Sequence, residues 1–418
     1  MKTIIPSLFC LVTLFVGACS SDKSKTSDNK IVIGTIDSIH SNILNEQRKI
    51  WVYVPNSDGF YAKQNFPVVY LLDGDAHFYS VMGLMQQLSE VNGNLVLPQM
   101  ILVGIPNTDR IRDLTPSHDS TSPERDSLFN SSGGGEIFTS FIEKELIPYV
   151  DSLYPTAPYR VFIGHSFGGL LVVNTLINHT NLFNAYVAID ASIWWDNKKL
   201  LKQAKTVLAK QDFEGTSFFL AISNLGKPDL DFSEIMKDTA ESNLFREQID
   251  LISYSNATKQ NKLTFDWRFY KDDDHGSVPL IAEYDALRFI FNFYKPKITY
   301  NQIMNPTYNV DSSINAYSNY LSKLMGYHVS PPESFINSLG YTFLGAKQYD
   351  KAVNCFKLNI ENYPTSANVY DSMGELLLNK GDTIGAIENY EKSLIIYPKN
   401  ENAKNIIKKI KEKSKIKE

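Results

Sequence analysis

Residues 161–170 read VFIGHSFGGL. Apolar residues run straight into a serine that has glycine two places before it and two places after it. Chance alone produces G-x-S-x-G in roughly one chain in ten of this length, so the flanks carry the argument. Residues 160–163 form a short buried strand by pattern, and LLVVNTLI (170–177) continues as a buried helix. A chain that reverses from strand to helix at one residue strains that residue, and Gly164 and Gly168 remove the side chains that would clash there. The Ser166 hydroxyl then stands above the sheet within reach of a base, and the Phe167 amide points into the same space. The competing interpretation is a plain tight turn.

The rest of the chain supplies the sheet that such a turn requires. Strand-like runs lie at 49–54, 66–72, 100–105, 160–163, 185–190, 217–222 and 263–270. Most are short and continuously apolar, as strands buried on both faces are. Helical stretches such as 137–150 and 284–294 separate them, so the expected fold is an α/β doubly wound, mostly parallel sheet. Beyond 297 the pattern becomes all-helical, and Gly340, Ala352, Phe356 and Tyr363-Pro364 recur as Gly374, Ala386, Tyr390 and Tyr397-Pro398. The common offset, 34 residues, matches the period of tetratricopeptide repeats. Two such units and a Lys-rich terminal helix are too few to stand alone, so they should pack on the preceding domain or on helices within 313–327.

At 418 residues, 43% hydrophobic and 21% charged, with net charge −5, the chain has room for more than one domain and lacks the concentrated positive charge that nucleic-acid binding needs. Three cysteines make no disulfide framework. Met1-Lys2, an apolar run over residues 4–15, and VGAC ending at Cys19 read as a signal peptide over 1–18. Small residues before a cysteine resemble a bacterial lipobox, which would make Cys19 the lipidated first residue of a tether over 19–30 on a cell-envelope membrane. Ordinary cleavage beside an incidental cysteine is the alternative. Cys355 falls inside the first repeat as a core residue.

A serine hydroxyl needs a base. Of the histidines after Ser166, His179 sits at the end of the nucleophile helix and His328 in a connection near the repeats. His275, in YKDDDHGSVP after the last strand-like run, occupies the loop where α/β hydrolases carry their histidine. A solvated turn residue or a metal ligand beside Asp272–Asp274 are the competing readings, the second weakened because consecutive acids on a short loop point apart.

PVVYLLDGDAHF, VGIPNTDRIRDLTP, IGHSFGG, SIWWD and DDDHGSVP, in that order, resemble the esterase D or enterochelin-esterase-like family over residues 30–297. The resemblance implies a Ser–acid–His hydrolase without metal or organic cofactor, with Ser166 as nucleophile and His275 as base. It also implies an oxyanion hole of the Phe167 and Asp75 amides, with Asp73 shaping the turn. His165 would pack or line the pocket. For the acid it favours a position between strand 217–222 and His275, before a helix. Glu241 heads that choice, followed by Asp238 and Asp229. Arg110 and Arg112 form internal ion pairs with Asp109 or Asp113, or hold an anionic part of the substrate at the mouth. Trp194 and Trp195 are core, or aromatic faces for a sugar or aryl group. The polar stretch 117–135 reads as a loop at the mouth and a candidate lid.

These readings give an esterase domain at 31–297, a linker with a helix at 298–333 and tetratricopeptide-like repeats at 334–418. The expected activity is a carboxylic-ester hydrolase working through an acyl-enzyme on a siderophore, acylated-carbohydrate or aryl ester. An acyltransferase with the same residues, or an inactive scaffold lipoprotein that binds a protein partner through its repeats, are the alternatives.

Overall fold

The computed structural model describes residues 30–55, 59–119, 127, 129–227, 229, 231–237, 245–256, 261–305 and 307–415. Eight strands form one sheet in the order β1-β2-β4-β3-β5-β6-β7-β8. They are β1 (Thr35–Ser41), β2 (Glu46–Tyr53), β3 (Phe66–Leu72), β4 (Ile101–Ile105), β5 (Thr156–His165), β6 (Ala185–Ile189), β7 (Ser217–Ser223) and β8 (Thr264–Tyr270). β1 and β2 run antiparallel, and β2 pairs antiparallel with β4. From β4 onward every pairing is parallel. Seven strands answer to the apolar runs. The eighth, β1, was not among the expected strands: it is an edge strand with mostly exposed side chains (TIDSIHS), and carries no apolar run to betray it.

Alternation along the central strands feeds two cores, since successive side chains leave opposite faces of a sheet. Val68, Tyr70 and Leu72 join the cluster beneath α3 (segments Gly135–Phe141, Ile142–Leu146 and Ile147–Leu153 in succession), α4 (Phe167–Asn178), α5 (Trp195–Leu208) and α6 (Arg246–Asn256). Val69 and Leu71 join the other, beneath α1 (Gly74–Ser89) and α7 (Val278–Ile290). A short helix α2 (Arg110–Leu114) follows β4.

Strand order decides where a site can form. After β3 the chain crosses to β4 on one side and returns to β5 on the other. Such a reversal opens a crevice at the carboxyl ends of the two central strands. Asp73 follows β3 and Ser166 follows β5, at that crevice.

The C-terminal region is helical: α8 (Val310–Met325), α9 (Glu333–Gly345), α10 (Tyr349–Asn362), α11 (Ala367–Asn379), α12 (Thr383–Ile396) and α13 (Glu401–Lys415). The 34-residue offset has a packing cause. A Cβ on Gly340 would come within 2.5 Å of the Phe356 ring, and one on Gly374 within 3.1 Å of the Tyr390 ring. Each glycine lets the two helices of a pair approach. Helix α8 belongs to two cores at once. Leu321 and Met325 join the cluster under α1 and α7, while Val310 and Ile314 join that of α9–α11. Tyr317 donates to the Tyr294 carbonyl (2.5 Å), and Ala367 N donates to the Phe60 carbonyl (2.8 Å). Residues 34–418 thus form one compact unit. Cys355 is fully buried in this region, and burial pushes its thiol up to about 12. No described helix is long and apolar enough to cross a membrane. Cys19 and the leader lie outside the described residues.

Candidate active site

Ser166 has φ 59° and ψ −115°, a left-handed-side conformation that costs a non-glycine residue on the order of 1–3 kcal/mol. The surroundings enforce it. Ser166 N donates to Ile189 O at 2.9 Å, and Ser192 N donates to Ser166 O at 3.1 Å, so the turn is fastened to the end of β6. A Cβ on Gly164 would lie 2.4 Å from the Gly168 backbone, which is why the flanking glycines are needed. The hydroxyl sits 3.5 Å from Ser192 Oγ.

His275 lies in the turn after β8, shaped by its acids. Asp274 accepts from Gly276 N (2.9 Å) and Ser277 N (3.0 Å), and Asp273 from Ser277 Oγ (2.9 Å). These carboxylates serve the loop. The His275 ring packs at 4.5 Å between centroids on His165, the neighbour of Ser166. Its Nδ1 is 2.5 Å from Asp190 Oδ2. Asp190 directly follows β6 and is 5% exposed; it also accepts from Ser223 Oγ (2.8 Å) and Ser223 N (3.1 Å). Burial raises its carboxyl, but the bonds from His275 and Ser223 outweigh burial and hold it below its ordinary value. The Asp190 bond lifts the His275 imidazole above 6.5, against the opposing effect of burial. Both shifts describe an ionised carboxylate that keeps a proton on Nδ1, leaving Nε2 to accept one.

Three acids, Glu241, Asp238 and Asp229, are expected to partner His275. Glu241 and Asp238 lie outside the described residues, and Asp229 is exposed. The ring nitrogen such an acid would hold is engaged by Asp190, which the sequence reading did not consider. Its signal is an acid directly after a buried strand (AYVAID), one strand earlier than expected. Asp190 lies between Ser166 and His275 in the chain.

Asp75 lies in the first turn of α1 and Phe167 opens α4, so neither amide has an intrahelical acceptor. The two turns are neighbours. A Cβ on Gly168 would come 3.3 Å from Asp73 Oδ2 and 3.4 Å from Leu72 Cβ. Asp73, at φ 51°, holds the β3–α1 turn. Its carboxylate accepts from Arg110 Nε (2.7 Å) and Nη2 (2.9 Å) and from Asn107 Nδ2 (2.6 Å). Arg110 therefore does form an internal ion pair, but with Asp73 rather than Asp109 or Asp113. Its guanidinium also lies 5.6 Å from the Phe167 ring centroid. Arg112 pairs with Asp113 (2.7 Å) and Glu46 (2.8 Å), beside the buried Arg48–Asp113 pair.

The tryptophans separate. Trp195 is 1% exposed and donates to Ser117 O at 2.8 Å, whereas Trp194 is 38% exposed, 6.2 Å from Phe167 between ring centroids. His179 turns to Glu136 at 2.9 Å. In 117–135, the ends are fastened through Ser117 to Asp196 (2.6 Å) and Gly133 N to Thr115 Oγ1 (2.9 Å). Residues 120–126 and 128 lie outside the described residues.

Residues 41–276, over half of the chain, match the Esterase family. The chain belongs to that family. It is a carboxylic-ester hydrolase. It is 24% identical over 266 residues to a siderophore enterobactin esterase of Emericella nidulans, covering 58% of this chain and 88% of the relative. It is 30% identical over 198 residues to the ferri-bacillibactin esterase BesA of Bacillus subtilis, covering 43% of this chain and 67% of that one. Among solved structures, an IroE-like serine hydrolase from Shewanella oneidensis superposes with a TM-score of 0.63 at 28% identity, covering 78% of this chain and 99% of its own. An uncharacterised protein from Capnocytophaga ochracea shares the fold (TM-score 0.58, 16% identity, 90% of this chain and 99% of its own).

Proposed function

We propose that this esterase works through an acyl-enzyme on Ser166, with His275 as general base and Asp190 as the acid of the triad. The observation that carries the reading is the buried Asp190 carboxyl paired with His275 beside a serine held in a strained turn. His275 Nε2 takes the hydroxyl proton as Ser166 Oγ attacks the ester carbonyl, and the Asp190 carboxylate stabilises the imidazolium that results. The Phe167 and Asp75 amides receive the oxyanion, each such donor being worth about 3–4 kcal/mol. The imidazolium returns its proton to the departing alkoxide, and water repeats the sequence to free the acid. Ser166 Oγ faces Ser192 Oγ at 3.5 Å, and catalytic hydrogen bonds commonly tighten once substrate binds.

For the substrate we propose a siderophore-type ester carrying aryl acyl groups. The names of the relatives support this, as does a mouth formed by the Phe167 ring, half-exposed Trp194 and the Arg110 guanidinium. The test compares kcat/KM on a catecholate trilactone, a feruloyl ester and an acetylated xylan. The trilactone should lead, and a clear preference for acetyl xylan contradicts the substrate. A sugar acceptor in the same assay that diverts the acyl group would favour acyl transfer instead. The leader supports export with lipidation at Cys19, tested by labelled palmitate in the wild type and in Cys19→Ala. The 34-residue helical period supports tetratricopeptide-like units that bind a protein partner.

A further inference from the structure

The catalytic imidazole is backed by more than Asp190. His165, packed on His275, meets His77 edge-on at 5.8 Å between centroids. Behind His77 lies Glu283, 1% exposed, with Oε1 3.6 Å from His77 Nδ1 and Oε2 accepting from Ser80 Oγ at 3.0 Å. His77 and Ser80 belong to α1, whose first turn holds the Asp75 amide. Glu283 belongs to α7, the helix that follows the His275 turn. Elsewhere these helices share an apolar cluster, with Phe78, Val81 and Met85 from α1 and Val278, Ala282 and Ala286 from α7. A carboxyl at such a position costs burial that an apolar residue would not, and the triad makes no use of it.

We infer that Glu283, through Ser80 and His77, is a positioning residue that joins the helix of the oxyanion turn to the helix behind the catalytic histidine, with His165 as the spacer against His275. The inference rests on the esterase reading above.

The joint depends on being uncharged. Facing Glu283 are Ser80 and His77 from α1, while the strands beneath α7 present apolar Ile189, Phe219 and Ala221. Burial pushes Glu283 up to about 8, partly offset by the Ser80 hydroxyl. Burial lowers His77; Asp73 and Asp75 oppose this, and Arg110 adds to it. Burial, with His275 and His77 adding, takes His165 down to about 4. Near neutral pH the array therefore carries no charge, and the positive ring of the reaction forms at His275 alone. When Glu283 ionises, a buried anion faces a neutral imidazole. The α1–α7 contact must admit water or shift, and base and oxyanion turn lose their register. The same proton links to stability. The folded value is raised above the unfolded 4.5, so the stabilisation is full below that pH and is lost as pH rises through about 8.

The test uses the full chain. kcat on p-nitrophenyl acetate should fall roughly thirtyfold between pH 7 and 9.5, as one ionisation near 8 dictates, with a smaller change in KM. Glu283→Gln should remove that fall. Proton NMR should show the His77 and His165 rings shifting over the same range in the wild type and not in Glu283→Gln, a readout independent of turnover. A wild-type kcat level to pH 9.5, or an equal fall in Glu283→Gln, overturns the inference while leaving the esterase reading intact. Absence of esterase activity at every pH overturns the esterase reading, and the ring titration then still decides the joint.

Discussion

Asp190 is the residue on which the electrostatics of the site turn. Its carboxylate raises the His275 imidazole, and in the proposed mechanism only the neutral ring can accept the serine proton. The acid limb of kcat/KM should therefore have its midpoint above the ordinary histidine value of 6.5. Asp190→Asn removes the stabilised imidazolium, so that midpoint should move down while kcat falls by about 10³–10⁴. With Asp190 as the acid of the proposed triad, Glu241→Gln should keep more than about half of wild-type kcat, since it touches none of the three groups the mechanism uses. The reverse ranking in a pH–rate study would return the acid to Glu241. Ser166 and His275 stand out in the sequence as candidates because their neighbours mark them: paired glycines in one case, a polar turn after the last strand in the other. Asp190 does not. An acid after a buried strand looks like any strand end until the fold brings a distant imidazole to it.

Among the elements, the β3–α1 turn and the helix pairs depend on close approach. Arg110 grips Asp73 with two nitrogens, a fork that lysine cannot reproduce. Arg110→Lys should lower kcat about tenfold, an order-of-magnitude expectation for a displaced oxyanion donor, with KM for a small acetyl ester nearly unchanged. An unaltered kcat contradicts the positioning role. In the helical region, alanine gains about 1 kcal/mol of helix propensity over glycine. At Gly340 that gain meets a 2.5 Å clash with Phe356, and overpacking costs about 1–3 kcal/mol. Gly340→Ala should therefore melt at a lower temperature than Gly374→Ala, whose neighbour need yield only a few tenths of an ångström. Thermal denaturation followed by circular dichroism decides it. The strands could be read from continuous apolar runs, but β1 could not, because an edge strand buries too little to leave a pattern.

For the whole molecule, the repeat period revealed the helix pairs but not how firmly they join the sheet domain. That depends on α8, whose Leu321 and Met325 complete the core beneath α1 and α7. Neither an amphipathic helix nor its spacing shows that it serves two cores. A chain ended at 297 loses both side chains, each worth about 1.5–3 kcal/mol of burial. It should melt well below a chain ended at 330, and equal melting temperatures would contradict the shared core. The central claim, an acyl-enzyme on Ser166, is tested most directly by reacting the folded protein with a fluorophosphonate and locating the adduct by peptide mass spectrometry. One adduct should form on Ser166, more slowly in Asp190→Asn and not in His275→Ala. An adduct on another residue, or an unlabelled protein that still turns over p-nitrophenyl acetate, would contradict the account.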